Sequence, residues 1–116
     1  MGLADITPKR VRAAYLEKGW KPKRFMYGNR RIKCGCGLGV LIAFDDPSEV
    51  VLLGHDSNVC RKLEISRNER NGFVRGFDGD PEATGSRQRD SERPAYDLGR
   101  ACWEAVKDLA EKEVGV

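Results

Sequence analysis

The residues with the clearest chemical potential are three cysteines and the only histidine, which form two short groups. Cys34-x-Cys36 precedes His55-x4-Cys60. Three sulfurs and one imidazole are a ligand set of structural zinc sites, but zinc modules usually separate paired ligands by two to four residues. Because these spacings are unusual, we expect no metal: Cys36 and Cys60 are predicted to be small core residues and His55 a loop residue. A structural zinc site is the alternative.

Catalytic and cofactor motifs are not recognisable. A Cys–His pair needs hydrogen-bond contact that no spacing to His55 implies. The acidic segment 78–82 resembles the start of a calcium loop, yet Ala83 stands where that loop needs glycine and Arg89 where it needs glutamate. The glycine-rich segment 35–39 lacks the Lys-Ser/Thr ending of a phosphate-binding loop. We therefore predict a non-catalytic protein without a cofactor.

Positive charge is concentrated in the first third of the chain. Residues 1–33 hold ten Lys and Arg against two acidic residues, which gives +8, whereas the whole chain carries +3. Such a region attracts phosphate, and exposed aromatic rings can stack on unpaired bases. The basic residues here surround the aromatic residues Trp20, Phe25 and Tyr27. The predicted nucleic-acid contacts are Trp20, Lys21, Lys23, Arg24, Arg30, Arg31 and Lys33.

An equally weighted interpretation makes Phe25 and Tyr27 the inward face of a hairpin whose charges are only solvated. In that case the partner would be another protein, and the chain would be an interaction or regulatory module. The two hypotheses differ in their dependence on salt, because binding to nucleic acid releases counterions.

The elements that must position these residues begin with a helix over 8–18. Thr7 and Pro8 are a good N-cap and first-turn pair, and Gly19 suits the left-handed position after the last turn. A β-hairpin is predicted over about 23–34, in which Gly28-Asn29 connects two antiparallel strands. The apolar segment 36–44 fits a strand or a short helix, and we favour the helix.

Three further helices are predicted, one by a turn and two by caps. Asp46-Pro47-Ser48-Glu49 is typical of a turn into a short helix, and Asp56 is a candidate cap for another, whose shared face holds Val59, Cys60 and Leu63. Ser66 and Glu69 have the capping-box spacing, which predicts a helix from 67 to about 77. Phe73 and Phe77, four residues apart, then point into the core.

The C-terminal part contains a predicted polar, mobile loop over 78–94 and a long helix over about 95–113. An apolar stripe marks that helix: Leu98, Ala101, Cys102, Ala105, Val106 and Leu109. Gly72 and Gly76 predict a flat helix face that another helix, at Gly99, can approach closely. The predicted fold class is mainly α, with one hairpin and a long C-terminal helix.

The segment Gly72-Phe73-x-x-Gly76-Phe77-Asp78-Gly79, followed after a loop by Tyr96-x-x-Gly99-Arg100, resembles a pattern of small uncharacterised bacterial and phage proteins. The resemblance covers the C-terminal half, and extends loosely to Gly19-Trp20 and the cysteine-bearing segment before Val40. It implies a mainly helical fold and no particular activity, ligand or partner.

Size and composition set the class of protein. A chain of 116 residues with 40% hydrophobic residues fits one domain, 1–116, with a core of its own. The start, Met1 to Thr7, lacks the features of a secretory signal, and the longest apolar run, Val40 to Phe44, is too short to span a bilayer. The expected location is the cytoplasm, with no membrane partner.

Overall fold

The computed structural model describes residues 2–28, 33–42, 55–79 and 93–114, and only the backbone of 55–58 and 111–114. A 3-10 turn, Leu3–Asp5, comes first. Helix α1 spans Pro8–Lys18, as predicted: Thr7 Oγ1 accepts the Arg10 backbone N–H, and Gly19 ends the helix at φ 70°. Val11 and Tyr15 are the buried residues of α1.

Two very short strands follow, β1 (Lys21–Pro22) and β2 (Cys34–Gly35), and they pair in parallel, Lys21 with Cys34. The predicted antiparallel hairpin over 23–34 is therefore wrong. The chain turns at residues 24–25, where Phe25 adopts φ 71°, a left-handed conformation that a continuing strand does not allow. Residues 29–32, including Asn29 of the predicted turn, lie outside the described ranges.

Helix α2 spans Gly37–Ile42, so the helical interpretation of the 36–44 segment is confirmed as far as the chain is described. Two side chains of α1 tie it in place. The buried Tyr15 hydroxyl donates to the Gly35 carbonyl oxygen at 2.6 Å, just before α2, and Lys18 Nζ donates to the Val40 carbonyl oxygen at 2.6 Å. The Lys18 bond satisfies a carbonyl oxygen near the C-terminal end of α2, where the helix itself supplies no partner.

Helix α3 spans His55–Leu63 and helix α4 spans Arg67–Asp78. The predicted capping box of α4 is confirmed, because Ser66 Oγ accepts the Glu69 N–H at 3.0 Å and Glu69 Oε1 accepts the Ser66 N–H at 2.8 Å. Asp56 is not the cap of α3, because the helix has already begun at His55. The predicted turn at 46–49 lies outside the described residues.

Helix α5, Arg93–Val114, is the longest element and packs mainly against α4. The predicted loop over 78–94 is too long at both ends, since Asp78 is helical and Arg93 and Pro94 belong to α5; residues 80–92 lie outside the described part of the chain. Ala101 is exposed, so the apolar stripe is narrower than predicted there.

The described core forms one cluster to which all five α-helices contribute. Phe73, Phe77, Cys102 and Leu109 belong to it and Leu98 packs against it, as the sequence predicts. The mainly helical fold with a long C-terminal helix is thus confirmed. Its buried residues include Val11, Tyr15, Leu38, Val40, Val59, Leu63, Phe73, Phe77, Cys102, Val106 and Leu109.

Candidate binding site at the Phe25 turn

The turn after β1 is fastened to the C-terminal end of α4. Arg24 Nε donates to the Phe77 carbonyl oxygen at 3.0 Å, and the Phe25 backbone N–H donates to Asp78 Oδ1 at 2.9 Å. A guanidinium at the end of a helix is favoured by the helix dipole. Asp78 is 8% exposed, so its bond to Phe25 is shielded from water. The turn therefore has a fixed position relative to α4.

Aromatic contacts extend this attachment into the core. The Arg24 guanidinium lies over the Trp103 ring, 4.0 Å from its centroid, and Trp103 meets the edge of Phe77 with ring centroids 5.3 Å apart. A cation over an indole face is attracted by the ring electrons. Arg24 is thus part of the structure that holds the turn.

The result of this attachment is an exposed aromatic ring on a constrained backbone. Phe25 is 74% exposed and its φ is 71°. A left-handed conformation costs a residue other than glycine about 1–3 kcal/mol, and it persists only where surrounding contacts enforce it. Here the bond to Asp78 and the contacts of Arg24 do so, and they present the Phe25 ring to solvent.

A half-open pocket of about 270 Å³ lies beside this ring. Met26 and Val74 supply apolar wall, whereas Arg70 and Asp78 supply a guanidinium and a carboxylate. Pockets for whole drug-sized ligands start near 300 Å³, so this one suits a single ring-sized group. Its lining residues are Phe25, Met26, Tyr27, Cys36, Arg70, Val74 and Asp78.

The guanidinium of Arg70 has defined partners. Nη1 donates to the Tyr27 hydroxyl oxygen at 3.2 Å, and Nη2 donates to Asn71 Oδ1. Because Tyr27 is itself only 6% exposed, the first bond orients Arg70 against a fixed group. The polar part of the pocket is therefore organised before any ligand arrives.

The Cys36 thiol in the pocket wall has low reactivity. Burial raises the pKa of Cys36 to about 12, against the opposing effect of the Gly39 and Leu38 backbone N–H groups. Since the thiolate is the nucleophile of cysteine chemistry, a thiol that stays protonated at neutral pH is a poor one. Cys36 therefore does not supply a reactive nucleophile to the pocket at neutral pH.

The structure describes no cluster of Cys34, Cys36 and Cys60, the three thiols of the alternative zinc site. Cys34 and Cys60 are half-buried, Cys36 is buried, and Cys60 Sγ contacts the Ser66 carbonyl oxygen at 3.8 Å. His55 is the first residue of α3, and its side chain is outside the description. Among the side chains that are described, no three His, Cys, Asp or Glu residues come together as metal ligands.

The predicted nucleic-acid residues divide into two groups. Trp20 is 4% exposed and Arg24 is held internally, so neither has the open position that the hypothesis requires. Lys23 and Lys33 are exposed and Lys21 is half-buried. Arg30 and Arg31 lie outside the described residues.

Sequence reasoning missed Arg70, Val74 and the pocket role of Asp78, and it left open whether Phe25 is exposed or faces inward from a strand. No local signal indicated the conformation of Phe25, because phenylalanine is a residue type that disfavours positive φ. Asp78 was interpreted as part of a turn ending a helix, which is correct for its location.

None of the described helices is long and apolar enough to cross a membrane. Comparison with known proteins gives no assignment: no protein-family model, curated protein or solved structure matches this chain.

Proposed function

We propose that this protein is a non-catalytic binding protein that contacts single-stranded nucleic acid through the Phe25 surface, which we define as Lys21, Lys23, Phe25 and Lys33. The observation that carries the proposal is the 74% exposed Phe25 ring on a backbone constrained to φ 71°. Aromatic rings accept any nucleobase by stacking, and adjacent lysines attract the phosphates.

The backbone places the three lysines of the Phe25 surface near one another and near Phe25. The Lys21 N–H donates to the Lys33 carbonyl oxygen at 2.9 Å, so two basic positions lie side by side, and Lys23 is two residues from Phe25. The +8 charge of residues 1–33 supports the same electrostatic role. Binding to phosphate by these lysines would not need Trp20 or Arg24.

Fluorescence anisotropy with a labelled single-stranded oligonucleotide, at about 50 and 200 mM salt, tests the proposal. Three phosphate contacts predict a slope of log affinity against log salt of about −2, or roughly 20-fold weaker binding at the higher salt. Phe25→Ala should weaken binding about 5- to 150-fold, the equivalent of one lost base stack. Lys23→Gln should make the slope less negative by about 0.7.

Two matched variants provide controls. Leu16→Ala removes the other large hydrophobic side chain that is exposed in the described part of the chain; it lies on α1 and is 59% exposed. Lys62→Gln removes an exposed lysine of α3. Neither control variant should show the loss of oligonucleotide affinity expected for Phe25→Ala or the change of salt slope expected for Lys23→Gln. Salt-independent binding, or equal losses in the control variants, would contradict the proposal.

A protein partner is the second candidate, because an exposed aromatic ring beside a largely apolar pocket is also a common interface anchor. A second copy of the chain is the partner that can be tested directly. Sedimentation velocity at increasing concentration should then show self-association that Phe25→Ala abolishes and that salt leaves nearly unchanged.

A further inference from the structure

The pocket beside Phe25 has the size and chemistry of a site for one flat polar ring. We propose that it binds a single unstacked nucleobase; this inference rests on the proposed function and identifies what that site recognises. The volume of about 270 Å³ accommodates one ring system rather than a whole nucleotide chain. Enzymes and RNA-binding proteins hold extruded or looped-out bases in this way, between an aromatic or apolar face and a few polar groups.

The two charged groups of the pocket select among occupants. Arg70 offers only donors and Asp78, as a carboxylate, offers only acceptors. An anionic group would be repelled by the carboxylate of Asp78, and a cationic group would be repelled by the guanidinium of Arg70. A nucleobase edge is uncharged and presents acceptors and donors together, so it is compatible with both residues at once.

Guanine is the probe that uses both groups most fully. Its O6 and N7 are the acceptors that arginine commonly contacts, and its ring and exocyclic N–H groups are donors for a carboxylate. The Tyr27 hydroxyl, at 3.2 Å from Arg70 Nη1, fixes the guanidinium from the other side. Asp78 Oδ1 accepts the Phe25 N–H, and this bond fixes the carboxylate in the pocket wall.

The apolar faces of the pocket fit the same occupant. Phe25 stands at one side with its ring exposed, and Met26 and Val74 contribute aliphatic surface. A base stacked on Phe25 would keep its sugar and phosphate toward solvent, where Lys23 is exposed on the same turn. The strand would thus be held by its phosphates on the lysines and by one base in the pocket.

Methionine NMR gives a direct readout, because the chain contains only two methionines, Met1 and Met26, and Met26 lines the pocket. With 13C-methyl-methionine labelling of the full chain, guanosine monophosphate should shift the Met26 signal saturably and leave Met1 unchanged. Met26→Leu assigns the signal. Ribose 5-phosphate, which lacks the base, should leave Met26 unmoved.

Two substitutions at one position provide the matched test. Val74→Phe fills the pocket and should weaken nucleotide binding about 5- to 150-fold, while Val74→Ala leaves the space open and should retain the Met26 response. Circular dichroism checks that both variants fold. If Val74→Phe does not fold, the wild-type titrations with guanosine monophosphate and with ribose 5-phosphate still decide whether the pocket binds the base.

The outcomes distinguish this inference from the proposed function. If oligonucleotide binding depends on salt but the Met26 signal does not shift at saturating oligonucleotide or nucleotide, the pocket assignment is overturned. The proposed function is not overturned by that result. A Met26 shift with guanosine monophosphate but no oligonucleotide binding supports the pocket and overturns the proposed function. Equal shifts with ribose 5-phosphate overturn the pocket assignment. A Met26 shift that depends on protein concentration alone, and that Phe25→Ala removes, assigns the pocket to a second copy of the chain and also overturns it.

Discussion

Burial separates the four cysteines into two pairs. Cys36 and Cys102 are 2% and 0% exposed, and burial raises the pKa of each thiol to about 12. Cys34 and Cys60 are half-buried. At pH 8 an ordinary cysteine is about one-quarter thiolate, whereas a thiol of pKa about 12 is thiolate in only about one molecule in ten thousand.

We therefore expect iodoacetamide at pH 8 to alkylate Cys34 and Cys60 in the folded protein and to leave Cys36 and Cys102 unmodified. Peptide mass spectrometry after a timed reaction measures each site. All four should react in concentrated guanidinium chloride, which serves as the control. If Cys36 reacts as fast as Cys34 in the folded protein, the pocket wall is more open than described.

At the scale of elements, the contact between α4 and α5 depends on two glycines. A Cβ atom at Gly76 would lie 2.1 Å from the Tyr96 carbonyl oxygen, and one at Gly99 would lie 2.2 Å from the Phe73 carbonyl oxygen. The obstacle at both positions is backbone, which cannot rotate away as a side chain can. The helices are therefore in direct backbone contact at Gly76 and Gly99, two of the three glycines for which the sequence predicted a close approach.

This contact reverses the usual effect of replacing a helical glycine. Helix propensity alone would make Gly76→Ala and Gly99→Ala stabilising by about 1 kcal/mol. Overpacking should instead lower the free energy of unfolding by about 1–3 kcal/mol in each variant, measured by urea denaturation.

Ala101→Gly is the matched control for these variants, since Ala101 is exposed on α5. It should lose about 1 kcal/mol through propensity alone. Stabilisation by either glycine replacement would show that α4 and α5 are farther apart than described.

For the whole molecule, the buried thiols predict a loss of stability at alkaline pH. The pKa of Cys36 and that of Cys102 are raised in the folded state, so the thiols of the unfolded chain lose protons first. This stability is fully present below about pH 8.5 and decreases as the pH rises toward 12, by up to about 1.4 kcal/mol per pH unit for each thiol. Burial also raises the pKa of Tyr15, which acts in the same direction at higher pH.

Urea denaturation of the reduced protein at pH 7 to 10.5 measures this dependence. Cys102→Ala should lower the free energy of unfolding at pH 7, because it leaves a small cavity. It should also make the decrease of that free energy with pH less steep above pH 9, because one titrating group is gone. Equal slopes for the variant and the wild type would show that the Cys102 thiol ionises as easily in the folded protein as in the unfolded one.

The sequence by itself determined helices α1, α4 and α5 and the close contact between α4 and α5. Thr7, Ser66 and Gly19 act on backbone groups within three or four residues of themselves, so the caps of α1 and α4 are readable without a fold. The stripe through Cys102 and Leu109 and the glycines at the α4–α5 contact are equally local patterns.

The candidate site was decided by tertiary structure. Arg24 reaches Phe77, and Phe25 reaches Asp78, across 53 residues of chain, and these contacts hold Phe25 in a conformation that its own residue type disfavours. The parallel pairing of β1 with β2 likewise replaces the hairpin that the local patterns of residues 23–34 favoured. Local preferences are worth about 1 kcal/mol per residue, so a few buried long-range contacts outweigh them wherever the chain is held from several sides.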